Sequence, residues 1–264
     1  MANRLAWSPV PTTETSYVLP VIEVVEETAD TRSIALAVPE GLREAFAFRP
    51  GQFLTVAVPS EQTGLVARCY SLSSSPLEVR TLVFTVKRTP EGYGSRWIHD
   101  HIRVGDRMRV LVPSGIFTPT SLDDDLILFG AGSGVTPLMS IIRTVLAPVQ
   151  DGGGTGRLVL LYANRDAGSV IFAGALADLV AAHPERIEVV HWLEDERGLP
   201  NHEQIRDFAS SYVTWHSFCC GPAPFMATVA RALREIGFPR ARRHQEKFVS
   251  LGGNPFGDLP APAP

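Results

Sequence analysis

A glycine-rich turn between an apolar strand and an apolar helix is the segment of the sequence best suited to bind a charged ligand. Residues 126–137 read Leu-Ile-Leu-Phe-Gly-Ala-Gly-Ser-Gly-Val-Thr-Pro, and the three glycines allow the backbone to turn sharply and approach a ligand closely. Thr136 is expected to cap the following helix, with Pro137 at its first position. Free amides and the helix dipole then favour an anion such as a dinucleotide pyrophosphate, although a tight connection without any ligand has the same pattern.

Two other segments carry cations suited to a phosphate, and the second of them adds a glycine turn. Arg68 and Tyr70 fall on one face of a predicted strand, which puts a guanidinium fork beside an aromatic ring. Lys87 and Arg88 end a later strand, after which Gly92–Ser95 turns into another helix. Taken singly, a strand tyrosine is most often a core or cross-strand residue, an arginine beside it is usually solvated, and the glycine turn is equally typical of a hairpin. Together they supply what a second bound pyrophosphate needs.

The cysteine pair Cys219-Cys220 ends a further predicted strand and repeats the design of the first turn. Gly221 follows it, and Pro222 opens the next helix. A thiol in such a place is commonly just a small buried residue. A cysteine at the carboxyl end of a strand in an open α/β sheet nevertheless lies where such sheets bind ligands, so Cys220 is a candidate contact.

Composition and charge argue against several classes of function. The 264 residues carry a net charge of −4, with 45% hydrophobic and 20% charged residues, so neither nucleic acid nor a membrane is an expected partner. No apolar run approaches the roughly 20 residues that span a bilayer, and residues 1–10 lack the apolar stretch of a signal peptide, which favours the cytoplasm. The cysteines Cys69, Cys219 and Cys220 have neither the number nor the spacing of a disulfide framework or a metal cluster, so no metal site is expected.

The succession of elements predicts two domains of different class. After a flexible tail at 1–16, short β-branched segments without helical periodicity predict an antiparallel β-barrel at 17–120. Alternating strands and helices predict an α/β domain with a parallel sheet at 121–243, followed by a C-terminal segment with a Pro-rich tail at 244–264. The predicted strands are 18–26, 33–38, 52–58, 67–72, 82–87, 107–112, 126–129, 158–163, 187–192 and 217–220, and the predicted helices are 95–101, 137–146, 172–182, 201–208 and 222–236.

Five motifs occur in the order seen in the ferredoxin-NADP reductase superfamily of flavoproteins, which the chain resembles from about residue 18 to residue 256. These motifs are Pro50–Phe53, Arg68–Ser71, Gly94-Ser95, Gly130–Pro137 and Cys220–Pro222. Within the superfamily the chain is most similar to reductase components of bacterial oxygenases, especially those of 3-ketosteroid 9α-hydroxylase and phenylacetyl-CoA epoxidase. Residues 66–72, 162–166, 191–194 and 248–256 carry that closer likeness.

The resemblance implies that the barrel binds FAD and that the α/β domain binds NADH or NADPH. According to the resemblance, Arg68 pairs with the flavin pyrophosphate, Tyr70 lies against the isoalloxazine ring, and Ser71 forms a hydrogen bond near N5. Ser71, Thr136 and Cys220 are the residues it implies along the hydride path. The other implied cofactor contacts are Cys69, Val86, Lys87, Arg88, Gly92, Gly94 and Ser95 for the flavin, Gly132, Ser133, Gly134, Pro137, Asn164, Arg165, Gly221 and Pro222 for the nicotinamide nucleotide, and Glu246 and Phe248 on a tail that approaches the flavin.

The mechanism implied by the resemblance is hydride transfer from the nicotinamide to the flavin, followed by single-electron transfer to a ferredoxin or an oxygenase component. The relatives carry a further ferredoxin-like domain with a 2Fe-2S cluster after the position of Phe256, which these 264 residues do not include. Two explanations are consistent with this difference: the chain is shortened, or a separate ferredoxin accepts the electrons.

The sequence leaves alternatives open for the preferred nucleotide and for the physiological role. We expect NADH because the matching steroid-hydroxylase reductases use it, although Asn164-Arg165-Asp166 offers an arginine for a 2′-phosphate and an acid for ribose hydroxyls. The alternatives to a steroid-hydroxylase reductase are a reductase for phenylacetyl-CoA or aromatic-ring oxygenation, a nucleotide-binding electron-transfer protein without turnover of its own, and a reductase that releases free flavin.

Overall fold

The computed structural model describes residues 16–61, 63–248 and 255–256. They form a six-stranded antiparallel sheet and a five-stranded parallel sheet, which confirms the predicted fold class. The predicted tail at 1–16 lies outside the described residues except for Ser16, which begins the first strand. Within these described ranges, none of the helices combines the length and the apolar character that crossing a bilayer requires.

The antiparallel sheet closes into a barrel. Its strands follow the order β4-β3-β6-β1-β2-β5, and a bridge between Leu72 and Phe84 joins the two ends of that order. Beside the bridge, the Ser73 amide donates a hydrogen bond of 2.7 Å to the Val83 carbonyl. Apolar side chains from every strand fill the interior, and Ile98 of the helix α1 (Tyr93–His101) joins them. The strands are β1 (Ser16–Thr28), β2 (Thr31–Ala37), β3 (Phe53–Ser60), β4 (Gly64–Ser71), β5 (Thr81–Lys87) and β6 (Arg107–Leu111).

The parallel sheet has the order β11-β10-β7-β8-β9, with its first strand in the centre. The strand order therefore reverses between β7 and β10, and ligands bind open α/β sheets at such a reversal, outside the carboxyl ends of the strands. Helices cover both faces, so every residue of β7 and β8 is buried. The elements are β7 (Leu126–Ala131), α2 (Val135–Val145), β8 (Leu158–Asn164), α3 (Ala173–Ala182), β9 (Ile187–Leu193), α4 (Glu194–Arg197), α5 (His202–Ala209), β10 (His216–Cys220), α6 (Ala223–Glu235) and β11 (Arg243–Glu246).

All ten predicted strands and all five predicted helices are present, with ends shifted by a few residues. Two elements were not predicted, the short helix α4 and the edge strand β11. The sequence of β11 is Arg-His-Gln-Glu, which has no apolar residue and no alternation. Parallel backbone pairing with β10 holds it in place, so the side-chain pattern contains no signal for it.

Hydrogen bonds between α2 and the segment that follows β4 join the two halves. The Ser140 hydroxyl donates to the Ser74 carbonyl at 2.7 Å, and Nη1 of Arg143 donates to the Ser73 carbonyl at 2.8 Å. Ser140 is completely buried, and buried polar groups that are satisfied in this way hold a fixed arrangement. The glycine turn before α2 is thereby fixed relative to the end of β4.

Candidate active site

Close backbone packing shapes the glycine turn after β7. Gly132 has a φ of +51°, in the left-handed region, and Gly132–Gly134 forms a 3-10 turn that runs directly into α2. A Cβ atom on Gly134 would overlap the carbonyl group of Cys220 and the amide of Gly221. Glycine at position 134 therefore lets the turns after β7 and β10 touch at the reversal of strand order.

The predicted cap of α2 is wrong. The helix begins at Val135 with Gly134 as its N-cap, and no side chain caps it. The Thr136 hydroxyl instead donates to the Ser133 carbonyl at 3.0 Å, and Pro137 is the third helical residue rather than the first. The reason is the 3-10 turn, which continues into the helix and moves its start toward the strand. The amides at this start have no side-chain acceptor among the described residues, an arrangement that suits an anion.

Cys220 and Gly221 form the second wall of the turn. Cys220 pairs with Gly130 of β7 and is completely buried. Burial raises the pKa of its thiol far above the usual range, so the thiol is neutral at physiological pH. A Cβ atom on Gly221 would lie 2.9 Å from Cβ of Ala131, so glycine is needed for this approach as well. Pro222 follows as the N-cap of α6.

Arg68 lies across the start of α1. A Cβ atom on Gly94 would stand 2.8 Å from Cγ of Arg68, so the glycine makes room for the arginine. Nη1 of Arg68 donates to the Ala67 carbonyl at 2.8 Å, and no acidic side chain among the described residues forms an ion pair with it. The N-cap of α1 is Gly92, which supplies no side-chain cap, and the Ser95 hydroxyl donates back to its carbonyl at 3.0 Å. A free guanidinium beside an uncapped helix start is well suited to a diphosphate.

The other cations expected at the flavin phosphate already have acidic partners. Lys87 lies 3.5 Å from Asp30, and Arg88 lies 3.1 Å from Asp100. Val86 is completely buried in the barrel core, so its side chain is not available to a ligand at the surface. Of the three expected cations, Arg68 is therefore the one without an acidic partner among the described residues.

Tyr70, Ser71 and Cys69 end β4 where the barrel closes. The Tyr70 ring stacks on Phe84 with a centroid distance of 5.6 Å and an interplanar angle of 24°. The ring is partly exposed, and an aromatic ring packed on one side can stack with a second planar group on the other. Ser71 is buried, and the Cys69 thiol lies 3.5 Å from the Thr55 hydroxyl.

Glu246 links the two halves electrostatically. It pairs with Cys220 across β10 and β11, and burial raises the pKa of its carboxyl group. Burial is also the main reason that the pKa of both Cys220 and Cys69 is raised, and the Glu246 carboxylate adds to the shift of both thiols. One thiol belongs to the parallel sheet and the other to the barrel, so this carboxyl group lies between the two predicted cofactor sites.

The chain beyond β11 returns to the barrel. Phe248 is 53% exposed, whereas Phe256 is buried and packs against Ala67 of β4. The Phe256 carbonyl accepts a hydrogen bond of 2.9 Å from Nη2 of Arg109, and that guanidinium also lies over the Phe256 ring. The predicted tail between residues 248 and 255 lies outside the described residues.

Asn164 carries an orphaned polar group at the carboxyl end of β8. Its side chain is buried, and neither amide atom has a hydrogen bond of good geometry among the described residues, although the amide lies near enough to the Tyr162 hydroxyl to lower its pKa slightly against the effect of burial. The nearby Tyr162 hydroxyl is already engaged, since it donates to the Gly132 carbonyl and accepts from the Ile171 amide. A buried amide without partners costs about 1–3 kcal/mol, so this position fits a ligand that completes its hydrogen bonds.

Asp30 was missed by sequence reasoning. It lies in the turn between β1 and β2, accepts hydrogen bonds from Thr28 and Thr31, and pairs with Lys87 of the same half. Its carboxylate also lies 3.8 Å from Nη2 of Arg165, which follows β8 in the other half. An aspartate between threonines is ordinary for a hairpin, so no local signal pointed to a contact 135 residues away.

Two family models match the chain in order along the sequence. An oxidoreductase FAD-binding domain matches residues 18–118, and an oxidoreductase NAD-binding domain matches residues 128–231. The ferredoxin reductase component of 3-ketosteroid-9-alpha-monooxygenase from Rhodococcus rhodochrous is 54% identical over 249 residues, 94% of this chain and 70% of that protein. The chain belongs to the ferredoxin-NADP reductase family. The resemblance predicted from the sequence is confirmed, and this reductase is an oxidoreductase that binds FAD and a nicotinamide nucleotide.

More distant relatives share the same two domains. A component of the 1,2-phenylacetyl-CoA epoxidase from Escherichia coli is 33% identical over 252 residues, 90% of this chain and 69% of that protein. Among solved structures, a cytochrome P450 reductase from Amycolatopsis matches with a TM-score of 0.73 and 27% identity, covering 88% of this chain and 70% of the other. These relatives belong to oxygenase systems, which implies an electron-transfer partner for the reductase.

Proposed function

We propose that the reductase passes electrons from NADH through FAD to an iron–sulfur acceptor that serves an oxygenase of the 3-ketosteroid 9-alpha-monooxygenase type. The observation that carries this proposal is the 54% identity with the Rhodococcus component along 94% of the chain, against 33% with the phenylacetyl-CoA epoxidase component. The acceptor in this proposal is a ferredoxin or the oxygenase component itself. The compartment is the cytoplasm, where thiols such as Cys69, Cys219 and Cys220 remain reduced.

In this proposal the chain contributes position rather than acid or base chemistry. The chemistry that FAD would supply when bound is acceptance of a hydride from the nicotinamide and release of electrons one at a time. Arg68 and the amides at the start of α1 would hold the flavin diphosphate, Tyr70 would contact the ring, and Ser71 would supply a hydrogen bond to it. The glycine turn and Asn164 hold the dinucleotide. The fit is supported by the free Arg68 guanidinium, the uncapped helix starts and the orphaned Asn164 amide.

Cys220 is the residue that we assign to the nicotinamide. Hydride transfer is efficient only when the reacting atoms lie about 3–3.5 Å apart, so the chain would have to hold the nicotinamide at a fixed, close spacing from the flavin. Hydrogen bonds from Ser140 and Arg143 to the segment after Ser71 support that spacing. The Cys220 thiol is neutral and completely buried, so in this proposal it shapes the wall behind the ring by packing and adds no charge there.

The preference for NADH is supported by the pairing of Arg165. An NADPH-specific site offers a free arginine to the 2′-phosphate. In the reductase, the Arg165 guanidinium lies 3.8 Å from the Asp30 carboxylate, which would repel a phosphate at the same place.

An anaerobic titration of the flavin-loaded reductase tests the hydride step. We expect NADH to bleach the visible flavin bands with a larger kcat/KM than NADPH. The variant Arg68→Ala should lose FAD during gel filtration, because a charge-assisted contact to the diphosphate disappears. Arg88→Ala is the matched control, since Arg88 is already paired with Asp100, and it should keep its flavin. A flavin that neither nucleotide reduces would favour the alternative of a nucleotide-binding protein without turnover.

The oxygenase is tested separately, in a reconstituted system that contains NADH, the reductase and a ferredoxin. With the oxygenase component of the Rhodococcus steroid system, we expect NADH-dependent hydroxylation of a 3-ketosteroid. Turnover of phenylacetyl-CoA with the epoxidase components, and none of the steroid, would assign the reductase to the epoxidase system instead. Bleaching without reduction of any added ferredoxin would contradict the electron-transfer role and leave the two cofactor sites intact.

A further inference from the structure

A cavity of about 480 Å³ lies on the face of the parallel sheet away from α2. Its walls are the second half of α6, the 3-10 turn Arg240–Arg242 and the edge strand β11, and its floor includes Ser217 and Cys219 of β10. Cys219 packs with α6 on this face, whereas Cys220 packs with α2 on the opposite one. The sheet therefore separates the cavity from the candidate active site.

The cavity is strongly basic. Arg234 of α6, Arg240 of the 3-10 turn and Arg243 of β11 all line it, and no acidic side chain does. Within the described part of the chain, none of these arginines forms an ion pair, and the buried Nε atom of Arg243 has no hydrogen-bond partner. Three cations that line one cavity, with no acidic side chain among its lining residues, favour an anion there.

Ser217 adds an independent observation. Its side chain is 1% exposed, lines the cavity, and has no hydrogen-bond partner for its hydroxyl among the described residues. Nearly all buried hydroxyl groups in proteins are hydrogen-bonded, so the Ser217 hydroxyl leaves a hydrogen bond that a ligand in the cavity could complete. Ala230 and Leu233 form an apolar part of the same wall.

We infer that this cavity binds a phosphate group, either free or as the ester of a small organic molecule. A phosphate dianion presents three oxygens to three arginines and the Ser217 hydroxyl, which a singly charged carboxylate with two oxygens cannot match. The organic part of an ester would lie against Ala230 and Leu233. A volume of about 480 Å³ is within the range of small-molecule sites, and it exceeds what phosphate alone would fill.

Calorimetric titration of the FAD-loaded reductase, in saturating NAD⁺ so that the dinucleotide site is filled, tests this site. The probes are inorganic phosphate and phenyl phosphate. Arg243→Gln should weaken the binding of both about tenfold or more, because a charge-assisted hydrogen bond is lost. Arg231→Gln is the control on the same helix, since Arg231 pairs with Glu235 and does not line the cavity. It should bind both probes like the wild type.

Ser217→Ala provides a readout that does not depend on charge. It should weaken phosphate binding several-fold, yet the protein without phosphate should melt at the same temperature or higher, since an unsatisfied buried hydroxyl has been removed. Tighter binding of phenyl phosphate than of phosphate would assign an ester, and equal binding would assign the free ion. Absence of binding, or equal affinities in wild type and Arg243→Gln, would overturn the site.

Discussion

Two adjacent thiols in β10 have equal burial and different surroundings. Cys219 faces α6 and Cys220 faces α2, and both are at most 1% exposed. If Cys220 lies against the nicotinamide, Cys220→Ala should slow flavin reduction by NADH on the order of tenfold to a hundredfold, through misplacement of the ring, with unchanged FAD content. Stopped-flow absorbance measures this. In Cys219→Ala, which loses a comparable amount of packing, NADH should reduce the flavin at the wild-type rate. Equal rates in all three proteins would show that Cys220 is not on the hydride path.

The ionisation of Cys220 should leave no trace in the pH dependence of that rate. Burial raises the pKa of the thiol above its ordinary value of 9.0, so the thiol keeps its proton across the range in which free cysteine titrates. We therefore expect the wild type and Cys220→Ala to have the same pH profile near pH 9, with no step in the reduction rate that is specific to the wild type. A step in the wild-type profile that is absent from the variant would show a titrating thiol at the site.

Glu246 makes the stability of the reductase depend on pH. Burial raises its pKa above the ordinary 4.5, so its contribution is fully present below that value and is lost as pH rises through the folded-state pKa. In the flavin-free protein, Glu246→Gln should therefore raise the melting temperature at pH 8 and change it little at pH 4. Glu235→Gln should behave oppositely, because the hydrogen bond from His202 lowers the pKa of Glu235 and its stabilisation is present above 4.5. Parallel melting curves for Glu246→Gln and the wild type at all pH values would contradict the buried-charge interpretation.

At the scale of elements, the packing of the glycine turn predicts a selective defect. Gly134→Ala places a methyl group into the Cys220 carbonyl, so the turns after β7 and β10 must separate. Overpacking of this kind costs about 1–3 kcal/mol, and NADH affinity should fall while FAD content is unchanged. Nucleotide titration and flavin absorbance measure the two effects. Gly174→Ala in α3 meets no atom within 4 Å and should leave both unchanged.

The elements with a strong apolar pattern were predictable, and those held by backbone geometry were not. β7 and β8 are buried on both faces and read as continuous apolar runs, so their existence follows from the residues alone. The edge strand β11 depends on pairing with β10, and the start of α2 depends on a 3-10 turn at a left-handed glycine. Thr136 illustrates the limit, because a residue with ideal capping chemistry lies two residues past the N-cap position.

The same distinction holds for the site. Asn164 and Arg68 could be singled out from the sequence by residue type and position. Whether their polar groups are available to a ligand could not be predicted, because that depends on which neighbours already form hydrogen bonds or ion pairs with them. Lys87 and Arg88 look equivalent to Arg68 in the sequence, yet each has an acidic partner in the fold. Asp30 and the α2 hydrogen bonds to Ser73 and Ser74 were beyond reach, because they connect residues of different halves.

At the scale of the whole molecule, the contact between Asp30 and Arg165 joins the barrel to the end of β8 and bears on the choice of nucleotide. Asp30→Ala should release the arginine for a 2′-phosphate and remove a carboxylate that repels it. An exposed pair is worth about 0.2–1 kcal/mol, so kcat/KM for NADPH relative to NADH should rise by up to about fivefold. Steady-state reduction of ferricyanide with each nucleotide gives the ratio.

The control for this change is Asp100→Ala, which breaks the exposed pair between α1 and Arg88 within the barrel half and involves no residue of β8. Its nucleotide ratio should equal that of the wild type. The double variant Asp30→Ala, Arg165→Ala should return to the wild-type ratio or lower, since the gain requires the freed guanidinium. If the ratio rises equally with and without Arg165, Asp30 acts only through long-range repulsion. If the ratio is unchanged in Asp30→Ala, the contact between the halves does not influence nucleotide choice.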